Sequence, residues 1–150
     1  MTDTTSTAMT TRTPWHLWEV GVVAILWNAF GCFDFTMTQL QGDAWLTSMG
    51  LTEAQLAYFH DTPAWAHAVW AIGVFGGVLG GLLLLLRRKL ALPVFVISFL
   101  GWVAGAVYAF GLSDGIEAMG PMWPMQIVIG GACVFFIWYA WMTAKKGVLR

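Results

Sequence analysis

Four long apolar runs dominate this chain and limit what it can fold into. A helix needs roughly 20 consecutive apolar residues to cross the hydrocarbon core of a bilayer. Runs of about this length occupy residues 16–38, 64–86, 90–112 and 122–143. They predict an all-α membrane protein with four transmembrane helices, in which residues 15–150 form one domain after a flexible, polar, cytoplasmic tail at residues 1–14.

The overall composition agrees with a lipid environment. Of the 150 residues, 59% are hydrophobic and only 10% are charged, whereas soluble domains carry about 25% charged residues. A core of this size cannot bury so much apolar surface, so the lipid bilayer is the expected solvent. The seven basic residues form no patch interleaved with stacking aromatic residues, which argues against nucleic acid as a partner.

Charge is distributed unevenly between the two sides of such a four-span fold. Every Lys and Arg lies in the N-terminal tail, in the short connection at residues 87–89, or after the fourth run, and these three segments share one side. All charged residues on the opposite side and at its margin are acidic, namely Asp34, Asp43, Glu53, Asp61, Asp114 and Glu117. The positive-inside rule therefore predicts that both termini are cytoplasmic.

The connection between the first two runs contains a helix start signal. Thr52-Glu53-Ala54-Gln55 fits a capping box, in which the side chains at the first and last positions satisfy each other's backbone N–H groups. Apolar side chains follow on one face, which predicts a short amphipathic helix over residues 52–60 in the first outer loop. The aromatic residues expected to form a belt at this outer face are Trp45, Tyr58, Trp65, Tyr108 and Trp123.

Glycines are spaced for close helix packing. They recur at every fourth position on two adjoining stripes of the second run and again on the third run: Gly73, Gly77 and Gly81; Gly76 and Gly80; and Gly101 and Gly105. Small residues at this spacing let two helix backbones approach closely within a membrane. Two interpretations stay open, which are packing inside the hairpin and a docking face for another membrane protein or another copy of the chain.

Two polar residues interrupt the first run, within WNAFGCFDFTMTQ at residues 27–39. Asn28 falls near the middle of the bilayer, on a face with Gly21 and Gly31. A hydrogen bond to a neighbouring helix is the favoured interpretation of Asn28, and a substrate contact is the alternative. Asp34 lies about 120° away around the same helix, closer to the outer surface.

Asp34 leads to a candidate polar site on the outer side. Its candidate partners are His67, one turn inside the second run, and His60 in the outer loop. An acid and an imidazole at the edge of a bundle are able to relay protons or hold a cation, or they form a structural hydrogen bond.

No further sign of catalytic chemistry is present in the sequence. There is no phosphate loop, CxxC, HExxH or nucleophile elbow. The two cysteines, Cys32 and Cys133, lie in apolar runs and indicate neither a disulfide framework nor a metal site. The sequence therefore predicts no enzyme, no catalytic residues and no cofactor, while a bound lipid, pigment or quinone stays open.

Three segments carry a resemblance to a known group of proteins. At residues 27–39, at LAYFHDTPAWAHAVWAIGVFGG (residues 56–77) and at the terminal KKGVLR (residues 145–150), the chain resembles small four-helix proteins of proteobacterial inner membranes. Members of that group are sometimes labelled sugar transporters. The resemblance implies a multi-pass protein in a bacterial inner membrane and transfers no functional residues.

Two functions follow from these features. The first is a non-catalytic accessory or stabilising subunit that docks on a larger membrane complex through the Gly-rich helix faces. The alternative is a small oligomeric solute transporter or proton-coupled transporter, with Asn28, Asp34 and His67 lining the path.

The predicted orientation is testable with reporters fused after Arg150. A fluorescent reporter that folds only in the cytoplasm should be active, and alkaline phosphatase, which requires the oxidising periplasm, should be inactive. The reverse pattern would contradict the four-span topology with cytoplasmic termini.

Overall fold

The structure, a computed structural model, describes residues 12–150. Within this range the chain is helical and contains no strand. Seven α-helices follow in order: α1 (His16–Gln41), α2 (Asp43–Ser48), α3 (Glu53–Asp61), α4 (Ala64–Leu85), α5 (Ala91–Val107), α6 (Gly115–Met119) and α7 (Pro124–Lys145). A π-helical turn at Tyr108–Leu112 extends α5, and a 3-10 turn at Gly120–Met122 precedes α7. Most of the predicted tail at residues 1–14 lies outside the described range.

Four of these helices are long and apolar enough to cross a membrane, namely α1, α4, α5 with its π-helical turn, and α7. Their ends agree with the predicted runs to within three residues, and the largest difference is at α1, which continues to Gln41. The all-α, four-span fold class is therefore confirmed, and the chain is a multi-pass membrane protein. The side of the membrane on which the termini lie stays a prediction.

The predicted helix in the first outer loop is also confirmed, as α3. Thr52 is its N-cap, and the capping box with Gln55 is complete. The Gln55 backbone N–H donates to the Thr52 hydroxyl, while the Thr52 backbone N–H donates to the Gln55 side chain at 2.9 Å. A second short helix, α2, precedes it and was not predicted.

The four spanning helices form a row in the order α1–α4–α5–α7. α4 packs against both α1 and α5, and α7 packs mainly against α5. The basic end of the bundle is defined here as the end that carries residues 12–15, the α4–α5 loop and residues 146–150. There Leu17 of α1, Leu84 of α4, Phe95 of α5 and Tyr139 of α7 belong to one buried cluster. The row therefore closes into a bundle at the basic end.

One glycine stripe of α4 faces α5. A Cβ at Gly80 would lie 2.6 Å from the Phe95 ring, and one at Gly76 would lie 3.1 Å from Cβ of Ser98. The contact continues at Gly101, where a Cβ would lie 2.8 Å from the carbonyl oxygen of Val69. Because these neighbours include backbone atoms, the two helices approach as closely as their main chains allow.

Two glycines of the other stripe of α4, Gly77 and Gly81, face α1. A Cβ at Gly77 would overlap the carboxamide of Asn28, and one at Gly81 would lie 2.8 Å from the Ile25 side chain. The glycines of α4 are therefore divided between two neighbours within the chain: Gly77 and Gly81 face α1, whereas Gly73 faces α5 together with Gly76 and Gly80. Gly105 differs from the others, because no atom lies within 4 Å of its Cβ position.

The C-terminal residues complete the basic end. The chain reverses after α7 at Gly147, whose φ of +71° favours glycine. Val148 and Leu149 are then buried in the cluster, at 5% and 1% exposure. The backbone N–H of Arg150 donates to the Arg87 carbonyl at 2.6 Å, and the N–H of Lys89 donates to the Arg150 carbonyl at 2.9 Å. The tail is thereby fixed to the α4–α5 loop.

Two glycines of α5 provide a matched test of the close packing. Gly101→Ala should lower the free energy of unfolding by about 1–3 kcal/mol, because the added methyl group meets backbone atoms of α4 that have no room to move. Gly105 lies one turn further along α5 and has open space at its Cβ position. Gly105→Ala should therefore leave the free energy of unfolding unchanged or raise it by up to about 1 kcal/mol. Unfolding in mixed detergent micelles, followed by circular dichroism, measures both variants. Equal effects of the two substitutions would contradict the packing described here.

Candidate polar site at the acidic end

The acidic end of the bundle, opposite the basic end, is formed by α2, α3, α6 and their connections. A turn at Gly42, with φ of +53°, reverses the chain between α1 and α2. This reversal places the indole of Trp45 against the last part of α1. Its Nε1–H donates to Oδ1 of Asp34 at 2.9 Å, and its ring meets Phe33 edge-to-face with centroids 5.4 Å apart. The half-buried carboxylate of Asp34 is thus held by an indole donor.

The two candidate histidines have other partners. Nδ1 of His67 lies 3.4 Å from the carbonyl oxygen of Pro63 in its own first turn, which is long for a hydrogen bond. Nε2 of His60 lies 2.7 Å from Oδ1 of Asp43. Those two side chains are 61% and 56% exposed, so solvent screens their interaction.

Within the described residues, no hydrogen bond joins Asp34 to His67 or to His60. The physical reason is the turn at Gly42, which brings Trp45 rather than an imidazole to the carboxylate. Within residues 12–150, no group of three or more His, Cys, Asp or Glu side chains is arranged to hold a metal ion. The roles predicted for these three residues stay predictions.

Asn28 contacts its neighbouring helix in a different way from the one expected. Its Nδ2 donates to the carbonyl oxygen of Ala24 in α1 at 2.8 Å, while the carboxamide lies against Gly77 of α4. Because α4 presents a glycine at this point, it offers no polar side chain for a bond between helices. Asn28 therefore joins α1 to α4 by packing.

Hydrogen bonds between spanning helices come instead from residues that the sequence did not single out. Oγ of Ser98 in α5 donates to the Gly73 carbonyl of α4 at 2.6 Å. Nε1 of Trp102 in α5 donates to Oε1 of Gln126 in α7 at 3.2 Å. These bonds satisfy polar groups that would otherwise face lipid, and they connect α5 to both of its neighbours.

A second network covers the acidic end beside the π-helical turn. Nε2 of Gln55 in α3 donates to the carbonyl oxygen of Ala118 in α6 at 2.7 Å. The hydroxyl groups of Tyr58 and Ser113 lie 3.0 Å apart, and the Ser113 hydroxyl also donates to the Tyr108 carbonyl at 2.9 Å. This network attaches α3 to the loop that follows α5.

An apolar cleft of about 260 Å³ lies beside this network, between the end of α5, α6 and the start of α7. Its walls are formed by Trp102, Phe110, Ile116, Trp123, Gln126 and Ile127. Such a surface suits an apolar chain, and the amide of Gln126 is already bonded to Trp102.

No protein-family model, curated protein or solved structure matches this chain. The arrangement of its own residues is therefore the basis for a functional proposal.

A double-mutant cycle tests the partner of Asp34. Asp34→Ala and Trp45→Phe should show a coupling of about 1 kcal/mol in the free energy of unfolding, since each variant removes the same hydrogen bond. Asp34→Ala and His67→Ala should be additive within about 0.5 kcal/mol. A strong coupling to His67 together with none to Trp45 would show that the acid and the imidazole form the site.

Proposed function

We propose that this protein is a non-catalytic, multi-pass protein of a bacterial inner membrane that acts as an accessory or stabilising subunit. It docks laterally on a larger membrane complex. The observation that carries the proposal is that three polar side chains inside the spans are hydrogen-bonded within the chain. Asn28 bonds to Ala24, Ser98 to Gly73, and Trp102 to Gln126.

The same observation disfavours the transport function. A transported solute or proton requires polar groups that are available along a path through the membrane. The amide of Asn28 donates to its own helix, and the carboxylate of Asp34 accepts from Trp45. The cavity near His16 and the cleft near Trp123 lie at the two ends of the bundle.

The docking face is assigned to α7. The Gly-rich faces of α4 that were named from the sequence are covered by α1 and α5, and Gly101 of α5 is covered by α4, so these glycines are used inside the chain. α7 lies at one end of the row and leaves a face uncovered, with exposed residues at helical spacings of three and four: Ile127, Val128, Gly131, Val134, Phe135 and Trp138. No atom lies within 4 Å of the Cβ position of Gly131.

The presence of Gly131 distinguishes this face of α7 from a surface that contacts only lipid. Lipid contact requires no small residue, whereas a glycine between larger apolar side chains forms a groove that another helix fills. Glycine also costs about 1 kcal/mol of helix stability relative to alanine. Its presence at an exposed helix position agrees with a partner helix at this face.

The orientation follows from charge. The basic end is proposed to face the cytoplasm, because all Lys and Arg residues of the chain lie at that end or in the tail that leads to it. The acidic end then faces the periplasm.

Purification from the native membrane in a mild detergent tests this function. The wild-type protein should co-migrate with a larger complex in native electrophoresis. Gly131→Leu should release it, because the new side chain fills the groove on α7. Gly105→Leu is the matched comparison, since it also enters open space but lies on α5: it should leave the complex intact, and release by Gly105→Leu but not by Gly131→Leu would contradict the assignment to α7.

Two results would contradict the proposal. One is a wild-type protein that purifies alone, as a monomer or a homodimer, under conditions that preserve other membrane complexes. The other is proton-coupled solute uptake by the purified protein in liposomes, which would establish the transporter instead.

A further inference from the structure

A cavity of about 270 Å³ lies at the basic end, between the segment that leads into α1 and the end of α7. Three of its lining side chains carry nitrogen donors, namely those of Arg12, His16 and Lys146. Within residues 12–150, no Asp or Glu side chain lines it. One part of the cavity wall therefore carries hydrogen-bond donors and positive charge, and the rest, including Pro14, Met142 and Val148, is largely apolar.

The position of His16 is fixed by α7. Its Nδ1 is hydrogen-bonded to the Tyr139 hydroxyl, and the two rings meet edge-to-face with centroids 5.6 Å apart. When Tyr139 donates to Nδ1, Nε2 carries the ring hydrogen and acts as a donor. The imidazole is thereby held in one orientation at the wall of the cavity.

Two adjacent lysines at the end of α7 have different environments. Nζ of Lys145 lies over the Trp141 ring, 4.9 Å from its centroid, in a cation–π contact. Lys146, the next residue, lines the cavity. The charge at the cavity is therefore contributed by a specific lysine rather than by the end of α7 in general.

The floor of the cavity is preformed. Thr143 is 1% exposed, and its hydroxyl donates to the Tyr139 carbonyl at 2.8 Å. Val148 forms another part of the wall, and its carbonyl accepts from Nε of Arg87 at 3.2 Å. A ligand would enter a space whose base is held by the C-terminal tail.

We infer that this cavity binds a phosphate group. Ammonium and guanidinium donors form charge-assisted hydrogen bonds to phosphate oxygens, and basic pockets between helix ends at the cytoplasmic surface bind lipid head groups. The cavity lies at the first turn of α1 and the last turn of α7. The phosphate belongs either to an anionic lipid or to a free phosphate ion.

Native mass spectrometry of the full chain tests this site. The purified protein is mixed in detergent with equal amounts of a phosphatidylglycerol and a phosphatidylcholine that have the same acyl chains. The wild-type protein should retain the anionic lipid over the zwitterionic one by about fivefold or more. Arg12→Gln combined with Lys146→Gln should reduce this ratio to nearly one.

The matched control removes the same charge from the same end of the bundle. Arg88→Gln combined with Lys145→Gln changes two basic residues that do not line the cavity, and it should keep the preference of the wild-type protein. Lys146→Gln alone, at an exposed position after α7, should lower the ratio of anionic to zwitterionic lipid. Lys146→Arg keeps the positive charge and should keep the ratio of the wild-type protein. These single variants decide the question if the double variant fails to fold, as judged by circular dichroism.

Millimolar inorganic phosphate distinguishes the two sources of the ligand. If it displaces the anionic lipid from the wild-type protein, the site takes free phosphate; if the lipid stays bound, the site takes a lipid head group. The inference is overturned if the wild-type protein neither prefers the anionic lipid nor retains inorganic phosphate. It is also overturned if the cavity pair and the control pair lower the ratio equally.

Discussion

The structure depends on the ability of one helix, α4, to approach two neighbours at the same time. In lipid, apolar side chains gain little by packing together, so association relies on close contact of surfaces. α4 meets α5 along Gly76 and Gly80, and it meets α1 along Gly77 and Gly81. Each glycine costs helix stability relative to alanine, and the contacts on both faces of α4 compensate for that cost.

The remaining features follow from this central position of α4. A row of helices around it leaves α7 attached to α5, so α7 has a free face, and that face contains Gly131. The row closes at the basic end, where Tyr139 and the residues at the C-terminal end join the buried cluster. Closure there also forms the cavity near His16, so the proposed docking face and the proposed phosphate site result from the same arrangement.

The sequence predicts the features that depend on local or average properties. Bilayer thickness sets the span lengths, and the capping box at Thr52 requires only neighbouring residues. Features that depend on contacts through space were not predictable. Glycine spacing does not reveal which helix covers which stripe. The partner of Asp34 depends on the turn at Gly42, so Trp45 was assigned to an aromatic belt rather than to the acid. Similarly, the hydrogen bond of Ser98 could not be predicted, because it depends on the Gly73 carbonyl of α4 lying opposite it.

A cross-link inside the chain tests the central position of α4 most directly. With Cys32 and Cys133 replaced by alanine, Gly31→Cys and Val74→Cys place one thiol on α1 and one on α4. A Cβ at Gly31 would lie 3.4 Å from Cβ of Val74, near the range for a disulfide, and Val74→Cys removes the Cγ1 methyl group that would obstruct it. Oxidation in membranes should give an intramolecular disulfide in the monomer. Cross-linked dimers without that product would contradict the account.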